Sequence, residues 1–240
     1  MSEGPLGGTT APVGRWTTAT VAGVRRPLAR SAQLRLDVVD RVEHLPGQYY
    51  VVRLTAEDGY TAQRSYSVAS APADPLVELF VERLADGEVS PWLTDVAEPG
   101  DEVEVRGPIG GWFAWDGESP ALLVGGGTGV VPLVAMVRHA REHDRLDLLR
   151  VAVSARTVAE LPYADELLAA GAVVLTSREA HGIRPAGRLT SADLLPLWEP
   201  GQTAFVCGSP PFARTAADLL VDLGFAPSAV RVESFGPSGG

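Results

Sequence analysis

The feature that most constrains this chain is a change of rhythm near its middle. Up to Gly117 the apolar residues come in short alternating stretches, at 33–37, 49–54, 63–68, 76–83 and 102–106. Between them stand the turn pairs Pro46-Gly47, Asp58-Gly59, Asp74-Pro75, Asp86-Gly87 and Pro99-Gly100. Alternation sends successive side chains to opposite faces of a sheet, and several short strands at close spacing bury their inner face by closing on themselves. This half is therefore expected to be an all-β antiparallel barrel. One short helix interrupts it, with Ser90 as its cap, Pro91 in its first turn and Trp92, Leu93 and Val96 on its apolar face.

After Gly117 strand-like stretches at 121–124, 148–153, 172–176, 203–206 and 230–233 alternate with helical ones at 131–143, 163–170, 192–197 and 212–223. Strands separated by helices run parallel, and the crossover helices cover both faces. An α/β doubly wound parallel-sheet domain is expected. The reading is of two domains, 15–117 and 118–240, after a flexible N-terminal segment over 1–14.

Composition removes several classes of function. Among 240 residues, 20 are basic and 30 acidic, a formal charge of −10 without any basic block. Nucleic acid and anionic membrane surfaces are poor partners for such a chain. No apolar run approaches the roughly 20 residues of a membrane span, and the start lacks a charged-then-apolar signal pattern, so a cytoplasmic protein is expected. The single cysteine, Cys207, excludes an internal disulfide, a multi-cysteine zinc site and a thiolate-held iron–sulfur cluster within this sequence. Every basic residue is arginine. Phosphates must then be met by arginine, hydroxyls or backbone N–H groups, and no P-loop lysine exists. His139 and His143 are four apart on an expected helix, but the glutamate of the metalloprotease pattern is not in its place. His44 and His181 fall in turns and read as solvated, so no metal site is expected. No Gly-x-Ser-x-Gly elbow supports nucleophilic hydrolysis.

Four glycines in five positions, Gly125 to Gly127 and Gly129, follow the first apolar strand of the second half and lead through Thr128 to Pro132 into its first helix. In a parallel sheet ligands gather at the carboxyl ends of strands, where a glycine turn exposes N–H groups suited to a pyrophosphate. The same turn also serves as a plain tight connection. In the first half, Arg64-Ser65-Tyr66-Ser67 closes a strand. Arginine grips a phosphate, tyrosine offers a flat face and serine a hydrogen bond. Alternation puts Arg64, Tyr66 and Val68 on one face and Ser65 and Ser67 on the other, a pattern that an ordinary strand with an exposed arginine also shows. Gly87-Glu88-Val89-Ser90 leads into the short helix, either as a simple serine cap or as a second phosphate seat.

It is the order of these pieces that is informative. The Arg64–Ser67 strand end, Gly87–Ser90, Gly107-Pro108, Gly125–Pro132 and a late Cys207-Gly208-Ser209-Pro210 together resemble the ferredoxin–NADP reductase family of flavoproteins, over about 15–235. The resemblance implies a barrel that binds FAD and a following domain that binds NADP, with the flavin at their junction. It implies that Arg64 meets the flavin pyrophosphate, that Tyr66 lies against the isoalloxazine and that Ser67, beside Ser65, sits close to flavin N5. The backbone of Val81, Glu82 and Arg83 would follow the ribityl chain, and Glu88, Val89 and Ser90 would hold phosphate. Gly127, Thr128, Gly129 and Pro132 match the nicotinamide nucleotide loop, and Cys207, Gly208 and Pro210 the segment beside the nicotinamide ring. The closing stretch, Arg231 to Phe235, matches the strand that brings an acid and an aromatic to the flavin, which makes Glu233 a proton-relay candidate with Ser67 and Phe235 a stacking candidate. Ser234 stands where many relatives have a basic residue.

Ser154-Ala155-Arg156 after the second strand offers a 2′-phosphate a serine and an arginine where NAD-binding chains place an acid, and Arg178 can join them, so NADPH is preferred. Catalytic roles are expected of Ser67, Cys207 and Glu233. The expected function is an FAD-dependent reductase that takes a hydride from NADPH and passes electrons to a separate acceptor, such as a ferredoxin or an oxygenase component, because one cysteine cannot hold a cluster. A flavin reductase releasing free reduced flavin, and a non-catalytic nucleotide-sensing subunit, are the alternatives. Arg15, Arg25, Arg26, Arg30 and Arg35, with no acid between Glu3 and Asp37, read either as a docking patch for an acidic carrier or as scattered surface arginines on barrel loops.

Overall fold

The computed structural model describes residues 14–235. The expected segment 1–14 lies outside the described residues except for Gly14, as does the tail 236–240. In the first half six antiparallel strands form one sheet: β1 (Trp16–Arg25), β2 (Ser31–Val38), β3 (Tyr49–Thr55), β4 (Thr61–Ser67), β5 (Val77–Glu82) and β6 (Glu102–Ile109). Their order is β4-β3-β6-β1-β2-β5. The edge strands β4 and β5 come together through a bridge between Val68 and Leu79, so the sheet curls into a barrel that is joined at this point and splayed beyond it. Ala19, Leu34, Val52, Leu79 and Val105 fill its interior.

β1 has no counterpart among the expected strands. Between Trp16 and Arg25 it is built of Thr, Ala, Val and Gly, and only Ala19 and Val21 are buried, so its alternation is faint in hydropathy. Pairing with both β2 and β6 holds it in place. The expected short helix is α1 (Val89–Pro91) running into a wider π-type turn over Trp92–Val96. Ser90 lies inside it rather than at its cap, and its Oγ accepts the Leu84 N–H at 3.1 Å. The wide turn carries Val96 off the buried face, leaving it 54% exposed while Leu93 is buried.

The second half holds β7 (Ala121–Gly126), α2 (Val131–Glu142), β8 (Leu149–Ala155), α3 (Ala164–Ala169), β9 (Val173–Thr176), α4 (Ser191–Leu194), β10 (Thr203–Gly208), α5 (Pro210–Asp222) and β11 (Val230–Ser234). The five strands are parallel in the order β11-β10-β7-β8-β9. Along β7, Ala121 and Leu123 pack under α2 and α3, while Leu122 and Val124 pack under α4 and α5. Both faces are covered, which explains why the strands read as continuous apolar runs. The chain steps outward from β7 to β9 and then returns to β10 on the other side of β7, so the order reverses between β7 and β10.

A small apolar cluster of Ala69, Phe80 and Val131, with Leu28 and Tyr163, joins the two halves. At its edge the buried carboxylate of Glu78 accepts Arg138 at 3.0 Å and the Tyr163 hydroxyl at 2.8 Å. Arg138 also donates to both oxygens of Glu166 at 2.9 Å. Two expectations are corrected by this packing. His44 is buried, not solvated, with Nε2 3.0 Å from the Ser70 carbonyl; burial lowers its pKa to about 4 and keeps it neutral. The five arginines do not make one patch. Arg15 and Arg25 flank a ten-residue strand of about 30 Å, Arg26 donates to the carbonyls of Thr94 and Ala97, and Arg35 pairs with Asp74 at 2.6 Å.

Candidate active site

The splayed seam of the barrel faces the point of strand-order reversal, and between them lies a cleft of about 1880 Å³. That exceeds the roughly 300–1,000 Å³ of a pocket for one small ligand. The barrel wall is the free edge of β4, and Arg64, Ser65, Tyr66 and Ser67 all line it. The two-face alternation expected for these four therefore does not separate them, because an edge strand presents both faces to the same opening. Arg64 has no carboxylate partner among the described residues. The hydroxyls of Tyr66 and Ser67 are inaccessible and lack any hydrogen-bond partner. Burial pushes the Tyr66 pKa up, so its hydroxyl keeps its proton.

Across the seam, Glu82, Arg83, Gly87 and Ser90 line the cleft, while Val81 is buried in the barrel core. Arg83 is held by Asp95 at 2.7 Å. Glu88 and Val89 do not reach the wall: Val89 is core, and Glu88 accepts the Tyr60 hydroxyl at 2.8 Å on the surface.

From the second half come Gly126, Gly127 and Thr128, then Ser154 and Arg156, and then Gly208, Ser209, Ser234 and Phe235. Gly127 has φ +56° and open space where a Cβ would stand, so its backbone is bare to the cleft. Cβ atoms at Gly126 or Gly208 would strike the Phe212 ring at 2.7 and 2.6 Å, and one at Gly129 would lie 2.3 Å from the Cys207 carbonyl oxygen. The glycines thus let the loop, the end of β10 and Phe212 nest closely. Gly129 and Pro132 are buried behind this surface and do not line it. Thr128 Oγ1 reaches Glu82 across the cleft at 3.3 Å.

Cys207 is fully buried in the core beside Phe205 and Leu133, and neither it nor Pro210 lines the cleft. Burial, then Glu233, raises its pKa, which keeps the thiol neutral. Glu233 stands opposite Cys207 in the β10–β11 register and is half-buried; burial raises its pKa to about 7. It lies behind Ser234 and Phe235 rather than on the wall. Phe235 donates its backbone N–H to Gly208 at 3.0 Å and packs partly on the α2 side of the core. Arg178 does not line the cleft: it sits in the exposed turn after β9, its N–H on the Arg156 carbonyl.

Among the lining residues that escape a reading of the sequence, three bear on the chemistry of the site. Arg106 on β6 lines the cleft with an unpartnered buried Nε, brought near Arg64 only because β3 lies between their strands. Arg188 joins Arg156 and Ser177 on the wall from an irregular loop with no periodicity to read. Phe212 follows the quoted Gly-Ser-Pro segment directly, so proximity to that motif was its one available signal.

A family model described as the oxidoreductase FAD-binding domain matches residues 29–113. The ferredoxin–NAD(P)+ reductase component of the naphthalene 1,2-dioxygenase/salicylate 5-hydroxylase systems of Ralstonia sp. is 28% identical over 237 residues, covering 94% of this chain and 70% of that one. Reductase components of several monooxygenase systems are spanned over 47–58% of their own length. Among solved structures, a cytochrome P450 reductase from Amycolatopsis superposes with TM-score 0.79 at 26% identity, over 94% of this chain and 71% of that chain. A ferredoxin NADP+ reductase from Neisseria gonorrhoeae with bound FAD and NADP shares the fold at TM-score 0.79 and 20% identity, over 91% and 98%.

Proposed function

We propose that the chain is a member of the ferredoxin–NADP reductase-like family of FAD-binding oxidoreductases, and that it draws a hydride from NADPH into its cleft and delivers electrons to a separate redox protein of an oxygenase system. The observation that carries this reading is the pair of orphaned hydroxyls, Tyr66 and Ser67, on the wall of a cleft shared by both halves. Buried polar atoms without partners are rare in folded proteins, and a ring with nitrogen and oxygen edges would satisfy them.

Bound FAD would supply the chemistry that accepts two electrons from a hydride and releases them singly. The chain's own residues have four tasks. Arg64 and Arg106 place two cations on the barrel wall, where a diphosphate needs them. Tyr66 presents a flat face and Ser67 a hydroxyl, and being locked by burial they fix the plane and edge of the ring they touch. The bare backbone at Gly127 suits the second pyrophosphate, at the start of the turn that leads into α2. Arg156 and Arg188, with Ser154 and Ser177, offer a 2′-phosphate two cations against the carboxylate of Glu160, which stands 3.9 Å from Arg156 on the same wall.

Phe235 closes the cleft against water beside Gly208, and Glu233 behind it holds a proton near neutral pH. Cys207 and Gly129 act from behind, as the rigid floor on which the glycine loop rests.

The test is a spectrum. Purified protein should be yellow with stoichiometric FAD, and NADPH added without oxygen should bleach it; electrons should then pass to an added ferredoxin or oxygenase component. Colourless protein that turns over added FMN would replace this reading with a free-flavin reductase. A coloured protein inert to NADPH and NADH would point instead to a sensing subunit.

A further inference from the structure

Outside the cleft, one cluster of metal-binding side chains stands out among the described residues. His139, Glu142 and His143 occupy the last turn of α2 and the residue capping it, and a ligand atom from each lies within 4.8 Å of the others. We infer that these three residues form a site for a divalent transition-metal ion of the zinc class. None of them lines the cleft.

Four features separate this cluster from a solvated surface pair. Positions i, i+3 and i+4 share one helix face, so the three groups converge without any change in the backbone. Nδ1 of His143 is 2.9 Å from the His139 carbonyl; as that oxygen can only accept, Nδ1 carries the proton and Nε2 is left with a free lone pair. A hydrogen bond of this kind, from the ring nitrogen that faces away from the ion, fixes the tautomer that a metal requires. The His139 ring is wedged edge-on against Trp115 at 6.1 Å between centroids and tilted at 44° to the His143 ring 4.3 Å away, and its Nδ1 is buried without a partner. Gly117 carries no side chain where a Cβ would stand 2.7 Å from His139 Nε2, which lets the ring seat closely against the backbone at this position.

The electrostatics favour a cation there. The C-terminal end of α2 carries the negative pole of its aligned peptides. The carboxylates of Glu142 and, from the barrel half, Glu43 both lie within electrostatic reach of His139. Two imidazoles and one carboxylate suit zinc, copper or nickel and leave a coordination position for water. They do not suit magnesium or calcium, which take oxygen ligands.

Titration calorimetry of tag-free, flavin-loaded protein with zinc chloride tests this. One equivalent of Zn²⁺ should bind saturably at micromolar concentrations, and His143→Gln should weaken it at least tenfold while NADPH turnover stays unchanged. A hundredfold excess of Mg²⁺ should not compete, and X-ray absorption at the zinc edge should show nitrogen ligands. Absence of saturable heat, wild-type affinity in His143→Gln, or displacement by Mg²⁺ would each overturn the assignment.

Discussion

Arg138 of α2 donates through Nη1 to the buried carboxylate of Glu78 on β5 at 3.0 Å, and this contact crosses from one half of the molecule to the other. The same guanidinium is gripped on its other edge by Glu166, so α2, α3 and β5 meet at one cation. Burial opposes the charge, but Glu166 and Glu78 outweigh it and raise the arginine's pKa. α2 also begins at the glycine loop, which means that the pair fixes the loop's position relative to the barrel wall.

Removing one partner strands a buried charge. Arg138→Met is expected to lower stability by roughly 3 kcal/mol, read from denaturant unfolding. A double-mutant cycle with Glu78→Gln should return a coupling of about 1–3 kcal/mol; simple additivity would show that the two halves are not locked here.

Ser67→Ala removes a hydroxyl with no partner in the protein. Stability should change by less than about 0.5 kcal/mol, whereas flavin reduction by NADPH, followed by stopped flow, should slow by about ten- to a hundredfold. An unchanged rate would remove Ser67 from the reacting centre.

Glu233 has a folded pKa of about 7 against an ordinary 4.5. Between those values the folded protein retains a proton that the unfolded chain has lost, so stability falls as pH rises through this window. Glu233→Gln removes that fall: it should gain about 1 kcal/mol over the parent at pH 8, after allowance for partial solvent access, and nothing at pH 4. Parallel melting curves for the two proteins across this range would contradict the assignment.

Nucleotide preference should reside in Arg156 and Arg188, both on the wall, and not in Arg178, which is off it. Arg156→Asp is expected to shift the NADPH/NADH ratio of kcat/KM toward NADH by about ten- to a hundredfold. Arg178→Ala should leave the ratio as it was, and the reverse pattern would relocate the 2′-phosphate site.

Gly129 faces backbone rather than a yielding side chain, with the Cys207 carbonyl oxygen 2.3 Å from where a Cβ would sit. Gly129→Ala should cost about 1–3 kcal/mol of stability and raise the KM for NADPH. Gly127→Ala, by contrast, meets open space and should be penalised only by its positive φ.

What the sequence determined by itself was everything set by local periodicity and turn chemistry. The alternating half and the strand–helix half, the parallel strands β7 to β11 and the glycine turn before α2 follow from residues close along the chain. Even so, β1 was hidden, because a strand of small residues is stabilised by its two neighbours rather than by its own pattern. The tertiary structure alone decided which residues share the cleft. Sheet order, not spacing, brings Arg106 toward Arg64, and an irregular loop carries Arg188 to the wall with Arg156, while packing buries Cys207 and His44 and turns Glu88 and Arg178 away. Side-chain destinations depend on contacts between segments far apart in the chain, and no local period encodes them.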